Sequence, residues 1–384
     1  MTAFANRASA ANAPRDNSSS TAARDSIRVA REPAALIKVA AVGLGWVALN
    51  RHIPAMKRTA AYEIVGVIDR RPGHAEAVAG KLGLPRYAQA ATLDQVPWLD
   101  EVDAITVATA PMAHYPLVRD ALARGKHVLT EKPFTMTVAE GEELVAAAAT
   151  ANRQLAIVHN FQFARSTMLL KSDLARGTLG AIKSIDAVQF GNPGRRLPIW
   201  YEELPLGLFY DESPHLLYLM GAVAGDLTLA RSIVVPNADG ARTPARIDAY
   251  FTSPTIKAPI SLRCNFESPV SEWYLMVFGE KRLAIVDVFR DIYISLPNDG
   301  SHDTLRVLRT SATATAQHWW QHITSGIPHL TGRLLYGNHE VFGRFSRAIR
   351  GESEQLEPIS GGRALGVLRL QHAIIDRQEK AYPV

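Results

Sequence analysis

Three side chains with acid–base capacity stand where a chain of this pattern would place them to act: Lys132, Asp211 and His215. Lys132 closes the run Gly125-Lys126-His127-Val128-Leu129-Thr130-Glu131-Lys132-Pro133. The short apolar stretch reads as a strand that delivers Glu131 and Lys132 to its carboxyl end, where Pro133 halts it. Ligands of open α/β sheets bind in the crevice outside those strand ends. A lysine there can hydrogen-bond a substrate hydroxyl and, with a lowered pKa, help to move a proton; a solvated lysine in a turn gives the same sequence. Asp211 and His215 are four residues apart at a predicted helix start, a spacing that points both in one direction. Pro214 suits the first helical turn. On this spacing alone Asp211 or Ser213 could equally be a helix N-cap and His215 a buried polar residue. An imidazole exchanges protons around neutrality.

A second constellation binds rather than reacts. Gly43-Leu44-Gly45-Trp46-Val47-Ala48 fits G-x-G-x-x-A directly after the apolar run Ile37–Val42. The glycines let the backbone approach a pyrophosphate, and the N-terminus of the helix that follows stabilises its charge. Asp69 lies twenty-one residues past Ala48, at the end of the next apolar run, where a carboxylate accepts from an adenine-ribose 2′-hydroxyl. The alternative is a tight strand–helix turn that binds nothing. Asp69 repels a 2′-phosphate and favours NAD; Arg70 and Arg71 could pair with that phosphate and keep NADP open.

These residues need elements to hold them. Strand-like runs at 37–42, 63–68, 104–108, 127–130 and 155–158 alternate with helices toward Met56, at 74–82, at 114–124 and from Thr137, which has capping-box spacing with Glu140, to Asn152. This rhythm implies a parallel sheet covered on both faces. After about Asn160 it changes. A helix over 164–176 and a strand over 182–190 precede a Gly/Pro/Arg-rich loop, a helix over 214–223 and strands at 227–235, 246–252, 260–266, 273–278, 283–288 and 292–296. Gly279-Glu280-Lys281 reads as a hairpin turn. Helical stretches near 314–325, 338–350 and 362–379 finish the chain. The fold class is therefore α/β: a dinucleotide-binding domain at 37–159, and a substrate and oligomerisation domain at 160–384 with an open, mostly antiparallel sheet, whose C-terminal helices can pack back on the first. Residues 1–36, rich in Ala, Ser, Asn and Arg, read as a disordered tail without the apolar core of a secretory signal.

Composition narrows the class. The chain has 384 residues, 47% of them hydrophobic and 21% charged, which suits globular domains rather than global disorder. Cys264 is the only cysteine, so no disulfide framework forms within the chain. No apolar run approaches the roughly 20 residues of a membrane helix. The net charge of +5 is scattered, which argues against nucleic-acid binding. These features make the cytoplasm the expected compartment.

Taken together, G-x-G-x-x-A, Thr109-Ala110-Pro111 with His114, the long motif ending Glu131-Lys132-Pro133, and Asp211 with His215 resemble the Gfo/Idh/MocA oxidoreductase family. The resemblance implies a Rossmann domain plus an α/β domain, hydride transfer on a secondary alcohol or carbonyl of a sugar, cyclitol or related polyol, and homodimers or homotetramers built on the second-domain sheet. It implies that Lys132 holds the reacting oxygen, His215 acts as general base or acid, and Asp211 orients His215 or binds a neighbouring hydroxyl. Gly43, Leu44, Gly45, Trp46, Val47, Asp69, Arg70, Thr109, Ala110, Pro111, His114, Glu131, Lys132 and Gln162 would line NAD or NADP. Arg165, Trp200 and Tyr210 are the substrate-side candidates. Two departures touch substrate class more than reaction class: Asn160-Phe161-Gln162-Phe163 lacks the family's frequent arginine, for which Arg165 stands three residues on, and Met112 replaces a common asparagine. NAD-dependent glycoside hydrolysis, a permanently held cofactor, and a non-catalytic nucleotide sensor are the competing readings. His318 and His322 stand at i, i+4, but no third ligand stands out, and packing at the domain or subunit interface is favoured over metal.

Overall fold

The computed structural model of the chain describes residues 35–195 and 197–380. The expected N-terminal tail lies outside these residues except for its last two positions, and so does Arg196. The described chain from Leu36 onward forms one compact unit built on two sheets.

The first sheet collects β1 (Ile37–Val42), β2 (Tyr62–Asp69), β3 (Arg86–Gln89), β4 (Ala104–Val107), β5 (His127–Thr130) and β6 (Leu155–Ile157) in the order β3-β2-β1-β4-β5-β6, all parallel. β3 is a strand the sequence pattern does not suggest. Its four residues alternate exposed and buried at the sheet's edge, too short a run to stand out from a loop. The connecting helices α1 (Ile53–Thr59), α2 (His74–Leu82), α3 (His114–Ala123) and α4 (Val138–Thr150) cover both faces. α4 starts at the expected capping box: Thr137 Oγ1 accepts from Glu140 N, and Glu140 accepts from Thr137 N.

The second half opens with α5 (Arg165–Ala175) and β7 (Ile182–Phe190). α6 (Leu208–Ala224) comes next, followed by β8 (Thr228–Val235), β9 (Arg246–Thr252), β10 (Ile260–Asn265), β11 (Glu272–Gly279), β12 (Arg282–Asp287) and β13 (Ile292–Pro297). The last elements are α7 (Thr304–Leu330), α8 (Asn338–Ile349), α9 (Gly361–Asp376) and β14 (Gln378–Lys380). Strands run β13-β12-β11-β7-β10-β9-β8-β14, antiparallel except at β7–β10 and β8–β14. The helix expected over 362–379 stops at Asp376, and the following residues pair with β8 instead. The helix expected over 314–325 is far longer, because Asp303 caps it early by accepting from Arg306 N.

α6 joins the two halves, and it begins six residues before the expected Pro214. Gly207 makes the start possible: it sits at φ 54°, and a Cβ there would run into Thr243, whose hydroxyl accepts from Leu208 N. Phe209 and Leu216 pack into the core under the second sheet, while Tyr210 enters the core of the first. Pro214 therefore lies inside the helix, where it cannot donate to the Tyr210 carbonyl four residues back. Gln371 of α9 supplies the missing donor: its Nε2 lies 2.6 Å from Tyr210 O and 2.9 Å from Ser213 Oγ. Gln371→Leu is expected to cost about 1–3 kcal/mol by stranding that buried carbonyl. Adding Pro214→Ala restores a backbone donor and should recover part of the loss. Denaturant melts of the two single variants and the double variant check the coupling; strictly additive losses would refute it.

Candidate active site

The fold brings Lys132 and the Asp211–His215 face of α6 together. Backbone bonds from Glu131 N to Val107 O and from Val158 N to Thr130 O carry the sheet ladder to the end of β5, and the Lys132–Pro133 peptide is cis. Lys132 Nζ lies 2.8 Å from Asp211 Oδ1 and 3.0 Å from Asp211 O. Burial works against the ammonium, but Asp211 and then Glu131 outweigh it, so Lys132 is held above its ordinary pKa. The condition for proton transfer by Lys132, a lowered pKa, is not met, and the charged ammonium is a hydrogen-bond donor.

His215 is the opposite case. Burial, followed by the charge of Lys132 and by His159, pushes its imidazole well below its usual range. Its Nδ1 lies 2.9 Å from Tyr218 Oη. Because that oxygen accepts from Phe161 N at 3.1 Å and lies 3.5 Å from Asn160 Oδ1, we assign the hydrogen to Nδ1. Nε2 then carries the free lone pair. Phe161 and Trp273 wall the ring. Orientation of His215 therefore falls to Tyr218, three residues along the same helix, and not to Asp211, which is engaged with Lys132. His159 stacks on Tyr218, and burial lowers its pKa to about 3.

Glu131 reaches inward rather than into solvent. Its Oε1 accepts from His52 Nε2 at 2.9 Å, and Thr106 Oγ1 lies 2.6 Å from His52 Nδ1. A π-helical turn over Ala48–His52 precedes α1 and carries His52 at full burial; such turns recur at functional sites. Burial raises the Glu131 carboxyl, but His52 and Lys132 more than offset it and hold it below its ordinary value. Four residues separate His52 from Ala48, yet nothing in the sequence marks the extra residue per turn that buries it.

The dinucleotide cradle passes a test of fit. Gly43 sits at φ 82°, and a Cβ there would lie 2.6 Å from Thr109 Cγ2 and 2.8 Å from Ala108 O. A Cβ at Gly45 would meet no heavy atom within 4 Å, so the space above its backbone is open. Thr109 Oγ1 is buried without a hydrogen-bond partner. Trp46 is 63% exposed on the first turn, with the Arg51 guanidinium 4.7 Å over its ring. Leu44 N donates to Asp69. His114 is fully buried and bridges Pro133 O and Thr109 O, so it braces the cradle from behind. Gln162 is engaged with the carbonyls of His159 and Pro358.

Several placements differ from expectation. Arg71, not Arg70, meets Asp69: its Nε and Nη2 lie 2.9 and 2.8 Å from the two carboxylate oxygens. Burial would raise Asp69, but the Arg71 side chain and backbone hold it at about 2. Arg70 is exposed. Tyr210 is a core residue whose hydroxyl is 2.8 Å from Thr135 O, so it is not available to a substrate. Trp200 packs on the first core, and Arg165 lies 3.5 Å from Gln321 Oε1. Glu212 joins the site with no signal in the sequence to mark it. It is buried beside Asp211, accepts from Gln189 Nε2 at 2.6 Å and pairs with Arg195. Burial pushes its carboxyl up to about 7; Arg195 opposes this and Asp211 reinforces it. Among the described residues no group of three or more potential metal ligands occurs, and no helix is long and apolar enough to cross a membrane.

Residues 37–159 match the model of an oxidoreductase family with an NAD-binding Rossmann fold. That segment, about a third of the chain, is what the model of the Gfo/Idh/MocA oxidoreductase family covers. An uncharacterized oxidoreductase of Schizosaccharomyces pombe is 30% identical over 47% of this chain and 50% of its own length. A dTDP-3,4-didehydro-2,6-dideoxy-alpha-D-glucose 3-reductase of Streptomyces antibioticus is 33% identical over 40% of this chain and 46% of its own. The chain thus spans about half the length of the curated relatives it matches. The WlbA dehydrogenase of Bordetella pertussis, solved with NADH and UDP-GlcNAcA, superposes with a TM-score of 0.69 at 18% identity, covering 89% of this chain and 95% of that one. The likeness of fold to that structure therefore extends over both sheets.

Two measurements test the electrostatics. Arg71→Ala frees Asp69 to accept from a 2′-hydroxyl and to repel a 2′-phosphate, so the ratio of NAD to NADP affinity should rise roughly tenfold, about 1.4 kcal/mol. Titration calorimetry with each dinucleotide reads it, and an unchanged ratio refutes the latch. Glu212 has a folded pKa near 7 against 4.5 unperturbed. Its contribution is complete below pH 4.5 and is lost as pH climbs through 7, by about 3 kcal/mol at 1.36 kcal/mol per unit. Glu212→Gln should gain on the wild type in thermal melts between pH 5 and pH 8; parallel curves would show that Glu212 does not titrate in that window.

Proposed function

We propose that the chain is an NAD-dependent oxidoreductase that transfers a hydride between the nicotinamide and a secondary alcohol or carbonyl of a sugar, with residues 37–159 holding the dinucleotide and residues 160–384 the substrate. The observation that carries this reading is the 2.8 Å pair between Lys132 Nζ and Asp211 Oδ1 on the helix face that also bears His215. Two relatives narrow the substrate class, because the names of the Streptomyces reductase and the Bordetella complex both refer to nucleotide-linked sugars. A nucleotide-linked sugar or close derivative is therefore the proposed substrate, and the cytoplasm the proposed compartment. The working form is a homo-oligomer built on the second-sheet half.

The cofactor, when bound, supplies the hydride acceptor or donor. Gly43, Leu44 and Gly45 would lie along its pyrophosphate, Asp69 with Arg71 at the adenine ribose, and Thr109 on its near face. Lys132 is charged, so its ammonium donates to the reacting oxygen and stabilises negative charge developing there. His215 is neutral, so Nε2 accepts the hydroxyl proton. Tyr218 keeps the ring turned for that transfer. Asp211 moves between pairing Lys132 in the resting protein and accepting from a second substrate hydroxyl. A charged lysine and a free imidazole are the resting states that oxidation of an alcohol requires.

Lys132→Ala is expected to lower turnover by roughly 10²–10⁴-fold while NAD affinity stays within a few-fold. The assay follows nicotinamide absorbance with a panel of sugars and nucleotide-linked sugars, and a fully active Lys132→Ala protein would sink the mechanism. For the wild type, kcat/KM for alcohol oxidation should stay level through neutrality and fall only below pH 6.5, as His215 gains a proton. A fall centred above neutrality would contradict the assignment of His215 as base.

A further inference from the structure

α7 is built inside out. Its inner face is polar and grips the edge of the second sheet. Gln317 Oε1 accepts from Ser295 N at 2.8 Å, and its Nε2 donates to Ser295 O at 3.0 Å. One turn on, Gln321 repeats the arrangement: Oε1 accepts from Tyr293 N at 2.7 Å and Nε2 donates to Tyr293 O. Ser325 Oγ donates to Asp291 O. Two side-chain amides thus satisfy the outward backbone groups of β13 that would otherwise template another strand. The outer face is apolar and bare: Leu305 is 78% exposed, Trp319 and Trp320 66% each, and Leu330 87%.

We infer that this outer stripe is a self-docking surface, and that two copies of the chain associate through an antiparallel α7–α7 pair about a two-fold axis. The spacing carries the argument. Along the stripe, Leu305, Leu308, Ala312, Ala316, Trp319, Ile323, Ile327 and Leu330 follow one another at steps of 3, 4, 4, 3, 4, 4 and 3. The series reads the same in both directions, so reversing the helix superposes apolar on apolar along its whole length. In that register Leu305 opposes Leu330 of the second copy and Leu308 opposes Ile327. Ala312 faces Ile323, and Ala316 faces Trp319. Small residues meet large ones at the centre, which lets the helices approach and interdigitate.

Charge and area agree with a second copy as the occupant. Arg309, exposed beside the stripe at its N-terminal end, is poorly placed against its own helix dipole. In the antiparallel pair it lies at the carbonyl end of the other helix, where a cation is favoured. Between residues 310 and 330 there is no Lys, Arg, Asp or Glu. The polar face is committed to β13, so the basic face with which a surface helix holds a membrane is missing. The stripe from Leu305 to Leu330 runs about 38 Å along the helix at 1.5 Å per residue, a length that suits one side of a standard interface of roughly 800 Å². α7 borders the sheet at β13, so the α7 pair is a contact separate from any association through the sheet's open face.

Sedimentation velocity over a concentration series of the full chain is the test, with circular dichroism confirming the fold of each variant. The wild type should self-associate. Ala316→Trp sets tryptophan against tryptophan, and Trp319→Ala leaves a gap, so each should weaken association on the order of tenfold or more. The double variant Ala316→Trp/Trp319→Ala exchanges large for small on both sides of the axis and should return association to within a few-fold of the wild type. A monomeric wild type, single variants that associate unchanged, a double variant as weak as the singles, or a monomer that binds phosphatidylcholine–phosphatidylglycerol vesicles would each overturn the inference.

Discussion

The Lys132–Asp211 ion pair is the constraint on which the rest of the structure depends. It links a residue delivered by a parallel strand to a residue delivered by a helix of the other half, and both side chains are largely buried. Removing either partner would leave an uncompensated charge, the costly outcome for a buried pair. The surrounding structure is arranged so that neither is lost. Glu131 adds a second negative charge next to Lys132 and is itself held by His52, whose other ring nitrogen meets Thr106. Asp211 is fixed because α6 is fixed, through Tyr210 in one core and Phe209 in the other. Positive charge at Lys132 then helps keep His215 neutral. One electrostatic arrangement so produces both a donor and an acceptor within reach of the same helix face.

That arrangement explains why α6 tolerates a proline. A helix that must hold Asp211 against Lys132 also has to anchor in two cores. Pro214 costs it an internal bond, and Gln371 replaces that bond from α9. The replacement ties the C-terminal helix to the same turn as Asp211 and Ser213. α9 thus braces the turn that bears Asp211, although it carries none of Lys132, Asp211 and His215. Glu212, buried one residue after Asp211, extends the same polar seam toward Gln189 and Arg195, so the helix face is set among charges on both sides.

Much of this is legible in the sequence, and the exceptions share a cause. The parallel sheet, the glycine turn, the Lys132 strand end and the i, i+4 pair on α6 follow from local pattern, because each rests on periodicity or on a residue type that a turn demands. What escapes depends on contacts distant in the chain. The start of α6 is set by Thr243 meeting Gly207, not by a capping residue beside it. His52 is buried by a π turn with no local marker. The partner of Asp69 is Arg71 and not its nearer neighbour Arg70, since a residue adjacent in an extended segment points away. The direction of the lysine pKa escapes for the same reason: burial at a strand end can be foreseen, while Asp211 and Glu131 as near neighbours cannot.

α7 shows the complementary case, a helix that turns its polar face to the protein. The helix meets the edge strand β13 through its polar side chains Gln317 and Gln321. A terminal strand presents unpaired N–H and C=O groups, and these need polar partners. Gln317 and Gln321 stand one helical turn apart, about 6 Å, close to the two-residue repeat of a strand, about 6.8 Å. The match lets one helix face serve both backbone positions. Once the polar face is fixed in this way, the apolar face has no choice but to point outward, and a chain that keeps tryptophans there must cover them by association. The demands of the strand edge thus decide where the molecule is sticky, and the same geometry that protects it from adding a strand prepares it to add a helix.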